Sequence, residues 1–389
     1  MLTAFLPLYL KWVCGQHGDL MKIAYLVHNL NDPAVERRCV MLERGGAEVK
    51  LAGFCRDHTL AGAIAARSPL QLGLSKDAAL VQRATGTLRA AFLDGRVKRF
   101  FADCDIVMAR NLEQLGIARA IIGDRPLVYE CLDIHRSLVG SSRAAKLIQL
   151  IESKLLPRVN LLITSSPAFV ENHFASTSLT SPIQLVENKM LVDDMDTFPS
   201  DPQASFGSQL TIGWFGMLRC EQTLSVLTEL ANRAAGKIKI LIAGKPSPAV
   251  FPDFAGAIAG TPDVEYVGSY HYSDLPKLYG RCHFAWAIDW FEEGENSSWL
   301  LPNRIYEAVA HGSVPIALAD IEVGRWLASR GAGLLVDDAA DLQDILFNMS
   351  ASRLHEYQAA IEAVPRGDVL VDDRGCRALV KRLSDMSRP

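Results

Sequence analysis

Asn303, Arg304 and Glu307 stand at i, i+1 and i+4 in the run LPNRIYEAVAHG (301–312). On a helix that spacing puts the three on one side. Pro302 suits a helix start, where its missing N–H has no helical partner to lose. Gly312 suits a left-handed stop. The pattern predicts a helix over about 303–310. Its free N–H groups and the Arg304 cation favour a phosphate at the tip. One turn further in, Glu307 can accept hydrogen bonds from a diol. A nucleotide-sugar carries both groups at about that separation. The same residues also fit a surface helix with an Arg304–Glu307 pair, a contact worth little.

Other polar positions fall at the ends of apolar runs. Gly213-Trp-Phe-Gly216-Met-Leu-Arg219 offers close backbone approach at its glycines and a forked donor at Arg219. Gly244-Lys245 adds a second cation, and a polar loop with Gly294, Asn296, Ser297 and Ser298 leads into the 303–310 helix. Near the start, His28-Asn-Leu-Asn-Asp-Pro33 contains no glycine, so the GxGxxG dinucleotide fingerprint is absent. His28, Asn29 and Asp32 can hold a sugar there, while Asp32 also fits a helix cap before Ala34. Glu130, Asp133 and His135 follow another apolar run. They are candidates for a group that takes the proton of an attacking hydroxyl, or for structural polar residues at a strand–helix junction. Asp194-Met-Asp196 has the form of a metal-binding DxD, but it stands in an Asp/Pro/Ser-rich stretch and reads as solvated linker.

The elements that must position these groups alternate along the chain. Strands are expected near 22–28, 48–54, 105–109, 127–130, 161–164 and 183–186. Helices are expected near 34–44, 75–101, 112–122, 142–156 and 167–174, with 56–74 looped. After 192–208 the rhythm restarts, with strands near 210–215, 238–243, 264–267, 284–288, 314–318 and 333–336. Helices follow near 223–235, 272–278, 303–310, 323–329 and 340–349, and in the tail from 371 to 386. Such alternation predicts parallel sheets covered by helices. Open parallel sheets bind ligands beyond the carboxyl ends of their strands.

The chain has 389 residues, more than one ordinary core accommodates. The expected organisation is an extension over 1–20, one Rossmann-like domain over 21–192, a linker over 193–208, a second Rossmann-like domain over 209–370 and a terminal helix over 371–389 that packs back on the first domain. A net charge of −4 gives no global basic field for nucleic acid. The eight cysteines contain no CxxC pair, which argues against a zinc site or disulfide scaffold and favours a reducing compartment. The opening MLTAFLPLYLKWV is too short to span a membrane and lacks the marks of a signal peptide. It reads as a poorly ordered extension or an interfacial anchor. Basic residues beside leucines over 76–99 and 142–158 read as solvated faces or as a peripheral contact with anionic lipid.

The order of several segments resembles the GT-B glycosyltransferases, within them the retaining family 4 type, and most closely the exopolysaccharide, succinoglycan-type enzymes of bacteria. The segments are LNDPAVERRCVMLERGGAEV (30–49), ITSSPAFVENHF (163–174), Val186-Glu-Asn188, GWFGMLR (213–219) and LPNRIYEAVAHGSVPIA (301–317). The resemblance implies two doubly wound α/β domains facing across a cleft. It implies that the second domain binds the nucleotide-sugar, with Glu307 at the ribose and Arg219 and Arg304 facing the diphosphate. Gly216, Gly244, Lys245, Asn296, Ser297 and Asn303 complete the expected donor site. His28, Asn29 and Asp32 are expected at the acceptor, and Asp133, His135 and Glu130 at the reaction centre. Two positions depart from the family pattern. Trp299 stands eight residues before Glu307, where an acid is usual, and Cys220-Glu-Gln-Thr replaces the usual lysine after Arg219. Asn296, Ser297 or Glu295 then hold the donor sugar.

The expected reaction moves a sugar, with UDP-sugar the favoured donor, to a saccharide or lipid-diphosphate-linked saccharide in surface or exopolysaccharide synthesis. The expected setting is cytoplasmic, at the inner face of the membrane. No metal or other cofactor is expected, because Arg219, Lys245, Arg304 and helix N-termini neutralise the leaving group. The alternatives are a nucleotide-sugar epimerase of the same fold and a non-catalytic two-domain ligand-binding protein.

Overall fold

The computed structural model describes residues 20–56, 59–74, 95–134, 138, 140–198, 207, 209–291, 294 and 296–387. Strand–helix alternation is realised as two parallel sheets. The first contains β1 (Met21–Val27), β2 (Ala47–Cys55), β3 (Leu70–Leu74), β4 (Ile106–Arg110), β5 (Leu127–Cys131), β6 (Leu161–Thr164) and β7 (Ile183–Leu185), in the order β3-β2-β1-β4-β5-β6-β7. After the short β8 (Met190–Leu191) come β9 (Leu210–Leu218), β10 (Ile238–Pro246), β11 (Val264–Tyr266), β12 (Phe284–Trp286), β13 (Val314–Leu318) and β14 (Leu334–Val336), in the order β11-β10-β9-β12-β13-β14. Both sheets therefore turn back on themselves: after two strands laid to one side, the chain crosses to the other side of the first. β8 itself pairs in parallel with β15 (Leu370–Val371).

Apolar runs form these strands because both sheet faces are covered. Ile23–Val27 in β1, all of β4 and all of β6 are buried. In the second sheet Ile238, Ile240–Ala243 and Val314–Ala317 lie in the core. The named helices are α1 (Pro33–Arg44), α2 (Arg143–Leu155), α3 (Glu221–Arg233), α4 (Asn303–Ala310), α5 (Ala351–Glu362) and α6 (Asp373–Ser387). Their ends follow local chemistry: Asp32 caps α1 at Ala34 N–H and Ser142 caps α2 at Ala145 N–H.

The chain forms two compact units. One takes in the chain through Val128 together with Arg374 onward; the other is Tyr129–Asp373. Within the first, α6 buries Cys376, Leu379, Val380 and Leu383. The end of α1 lies so close to α6 that a Cβ on Gly45 would sit 2.4 Å from the Cys376 carbonyl oxygen.

Several elements differ from the sequence-based expectation. Residues 70–74 form β3 rather than loop, with Gly73 at a positive φ beside a register shift between Gly53 and Phe54 of β2. The expected helical region over 75–101 is described only from Gly95, where a helix runs to Phe100. α5 was not anticipated, nor was the pairing of β8 with β15, whose strands are remote in sequence and two residues long. β9 and β10 run three residues beyond the expected ends, so Gly216 and Gly244 lie inside strands. The polar run after Gly294 folds into a helical turn, Asn296–Trp299. At the start of the expected linker, Asp194 Oδ1 accepts the Asp196 N–H at 3.0 Å, so the first acid of the DxD closes its own turn.

The β9–β10 pairing puts Gly244 opposite Gly216. Gly244 has φ +139°, and a Cβ there would meet the Gly216 carbonyl oxygen at 1.8 Å. Gly244→Ala is expected to lose at least about 2 kcal/mol of stability in thermal or denaturant unfolding. Gly62→Ala, in a short helix where a Cβ meets nothing within 4 Å, should unfold close to the native chain.

Candidate functional site

Two polar clusters stand where the strand orders reverse, the positions at which open α/β sheets take ligands. In the first compact unit, β1 ends at Val27 and β4 at Arg110. His28 Nε2 lies 3.7 Å from Asp32 Oδ2, and Arg110 Nη1 lies 3.6 Å from that same oxygen. Asp32 Oδ1 meanwhile caps α1 at Ala34 N–H, 2.9 Å away. Asp32 thus serves both as cap and as partner of His28 and Arg110. Asn29 is buried, and its Oδ1 accepts the Asn31 N–H at 3.2 Å. Burial, reinforced by the Arg110 cation, holds the His28 imidazole below its ordinary pKa. Its Nδ1 is buried without a hydrogen-bond partner among the described residues. A neutral ring with an unused nitrogen can accept or donate to a hydroxyl.

The second cluster lies in the second compact unit, beyond β9 and β12. Arg219 follows β9, and its Nη2 is 3.4 Å from Asp289 Oδ2. Arg304, in the first turn of α4, reaches the same oxygen at 3.6 Å. The Phe291 ring stacks on Arg219, 4.6 Å from centroid to guanidinium. Phe291 N–H donates to Asp289 Oδ1 at 3.1 Å. Gly216 lies on β9 three residues before Arg219, opposite Gly244 of β10, and a Cβ on Gly216 would meet nothing within 4 Å. Lys245 and Asn303 are exposed. The predicted pair of arginines is therefore brought together, and Asp289, Phe291 and Arg110 were not anticipated. Asp289 had one usable signal: it is the first acid beyond an apolar strand, in FAWAID (284–289).

α4 is no surface helix, because Ile305–Val309 are all buried. Glu307 is only 9% exposed, and its Oε2 receives the Tyr279 hydroxyl at 3.2 Å. Tyr279 stacks on His311 with centroids 5.7 Å apart and meets Phe215 edge to face at 4.9 Å. Burial first, and then the Glu307 carboxylate, raises the Tyr279 and Tyr270 phenols well above their ordinary range. Both remain neutral donors at physiological pH. Tyr279 thereby fixes the direction of the Glu307 carboxylate. Upstream, Asn188 Nδ2 donates to the Leu301 carbonyl at 2.9 Å, and the Trp326 indole donates to Glu187 at 3.1 Å. The Val186-Glu-Asn188 segment thus secures the entry to α4.

The remaining candidates have other surroundings. Asn296 and Ser297 are buried in the turn before α4, and Asn296 Oδ1 accepts the Ile134 N–H at 3.3 Å. Glu130 is fully buried on β5 and Asp133 is exposed just past it. His135 and Glu295 lie outside the described residues. Trp299, at the position where an acid is usual, offers its carbonyl to the Ser166 hydroxyl. No group of three or more His, Cys, Asp or Glu side chains suited to a metal occurs among the described residues. Their seven cysteines are buried and unbridged, and burial pushes the Cys131 and Cys282 thiols up to about 12.

No family model matches the chain. Over 381 residues, however, it is 38% identical to the succinoglycan biosynthesis protein ExoL of Rhizobium meliloti (strain 1021), covering 95% of this chain and 94% of that protein. The chain belongs to the ExoL family. Its fold is that of the GT-B glycosyltransferases, as the resemblance implied. The crystal structure of Anabaena HepE in complex with UDP and glucose superposes with a TM-score of 0.66 at 16% identity, over 94% of this chain and 99% of that one. A UDP-N-acetylglucosamine 2-epimerase superposes with a TM-score of 0.57 at 14% identity, over 94% and 96%. A glycosyltransferase from Rickettsia africae superposes as well, with a TM-score of 0.62 at 14% identity over 95% and 99%, so the architecture of this ExoL-family chain is shared by transfer and epimerisation enzymes.

The His28 environment sets a pH dependence. Its pKa is lower folded than unfolded, so the unfolded chain takes up the proton first as pH falls. This contribution is fully present above the unfolded value near 6.5 and is lost below it, toward the folded pKa. The melting temperature is expected to drop as pH falls through that window, and His28→Gln should flatten the dependence.

Proposed function

We propose that this ExoL-family chain is a glycosyltransferase that moves a sugar from a UDP-sugar to a saccharide acceptor, lipid-diphosphate-linked, in exopolysaccharide synthesis of the succinoglycan type. The observation that carries this reading is the second cluster. Two guanidiniums at a strand-order reversal share one carboxylate oxygen, and a buried, oriented carboxylate, Glu307, stands one turn along the helix that carries Arg304. Arg219 and Arg304 take the diphosphate, with α4 N–H groups beside them. Glu307 takes the ribose diol. The HepE complex with UDP and glucose supports the choice of nucleotide.

In this reading the diphosphate leaves with its charge held by the arginines, Lys245 and the α4 N-terminus. No metal ion is needed to stabilise it. His28, Asn29 and Asp32 receive the acceptor. Glu130, Asp133 and His135 serve the reaction centre by orienting the attacking hydroxyl or taking its proton. Epimerisation is the second reading, favoured by the shared fold alone. It requires turnover of UDP-sugar without an acceptor.

UDP is expected to raise the melting temperature of the native chain. Arg219→Ala should weaken UDP binding roughly 10- to 100-fold, the value of a charge-assisted hydrogen bond pair. Glu307→Gln, which keeps an acceptor for Tyr279, should weaken it about tenfold. Titration calorimetry measures both. An unchanged affinity in the two variants would sink the site assignment, and UDP-sugar turnover without acceptor would favour the epimerase.

The acceptor's lipid is met by the outer face of α2. Leu147, Leu150 and Ile151 are 59%, 55% and 46% exposed, flanked by exposed Arg143, Lys146 and Lys154. The helix has one acid, Glu152, and it is turned inward, with both carboxylate oxygens 3.0–3.1 Å from His173 Nε2. The outer face is thus apolar and cationic, the combination that adheres to anionic lipid. Among the described residues no helix is long and apolar enough to cross a membrane, so the contact is peripheral. The native chain should sediment with phosphatidylglycerol-containing vesicles and not with phosphatidylcholine alone. Leu147→Ser/Leu150→Ser should abolish sedimentation while leaving UDP affinity unchanged.

A further inference from the structure

Asp289 occupies the position where the proposed donor site needs an anion. Its Oδ2 is shared by Arg219 at 3.4 Å and Arg304 at 3.6 Å. The two Nη2 atoms are therefore no more than the sum of those distances apart, close enough to grip one diphosphate. Two guanidiniums this near repel each other, and a carboxylate between them removes that cost. Both distances exceed the roughly 2.7–2.9 Å of a strong charge-assisted bond. The arginines are held, but loosely.

The carboxylate itself is fixed. Oδ1 is tied to the Phe291 N–H two residues on, at 3.1 Å. Arg219 is the looser partner: 31% of its side chain is exposed against 15% for Asp289, and the Phe291 ring lies over its guanidinium. We propose that Asp289 is a resident counter-ion, exchanged for the diphosphate of the nucleotide when it binds and restored when it leaves. With the site empty, Asp289 keeps both cations gathered. The incoming diphosphate draws them off a carboxylate that cannot follow. After transfer the same carboxylate competes with the departing UDP for the two guanidiniums and so speeds product release. Asp289 acts through Arg219 and Arg304, as a positioning residue that sets nucleotide residence time.

This inference rests on the reading of the two arginines as the diphosphate clamp, and the experiment separates the two. UDP and uridine are titrated by calorimetry, and UDP release is followed by stopped flow, for the native chain, Arg219→Ala and Asp289→Asn. In Asp289→Asn the internal competitor is gone. UDP should bind roughly fivefold tighter or more and leave more slowly, with a steeper loss of affinity in salt, while uridine is unaffected. If Asp289 merely shapes the loop, uridine and UDP affinities fall together. If it only orients the arginines, UDP binding weakens. Either result overturns the counter-ion role. A clamp reading that is itself wrong shows instead as Arg219→Ala binding UDP like the native chain. Should Asp289→Asn unfold early, Asp289→Ser keeps an oxygen for the Phe291 amide and must give the same tightening.

Discussion

A parallel sheet whose strand order doubles back leaves a gap at the carboxyl ends of two adjacent strands, because the connections leaving them go to opposite faces. Two polar clusters of this chain stand at that constraint. It occurs once between β1 and β4 and once between β9 and β12. At the first gap stand His28, Asp32 and Arg110; at the second, Arg219, Asp289 and Arg304. The two clusters share a design, in which one carboxylate oxygen is approached by two basic side chains. They differ in the identity of those side chains. The first includes a titratable imidazole held neutral by burial, suited to hydroxyl chemistry. The second has two permanent cations, suited to phosphate.

The depth of α4 gives the second cluster its precision. A carboxylate only 9% exposed would cost much to bury alone. The Tyr279 hydroxyl provides a directed donor, itself held by the Phe215 and His311 rings packed about it. The same packing fixes the start of the helix, where Arg304 emerges. The contacts proposed for ribose at Glu307 and for phosphate at Arg304 are thus carried by one rigid element, consistent with sites that work best when carried on regular structure.

Much of this was legible in the residues, for physical reasons that vary by element. Runs such as Ile240–Ala243 and Val314–Ala317 are buried on both faces, so composition alone reveals them. Asn303–Ala310 is bracketed by Pro302 and Gly312 and falls where the spacing puts it. β3 was hidden because an edge strand interrupted by Gly73 carries little periodicity. β8 and β15 gain their strand geometry only from each other, and no local pattern of two residues encodes a partner so distant. The role of Asp289 was unreadable for a similar reason. Its meaning comes from Arg219 and Arg304, which lie 70 positions before it and 15 after it and meet only in the folded sheet. Asn296 shows the converse: a polar residue in a polar run turns out to be buried and bonded to Ile134.

The packing of α6 against Gly45 also has a temporal side. Synthesis proceeds from the amino end, so the strands of the first compact unit leave the ribosome early. The helix that covers the end of α1, burying Cys376, Leu379, Val380 and Leu383, is made only after the whole of Tyr129–Asp373. The first unit is therefore closed only after the second has been synthesised, and until then the apolar surface at the end of α1 stays uncovered.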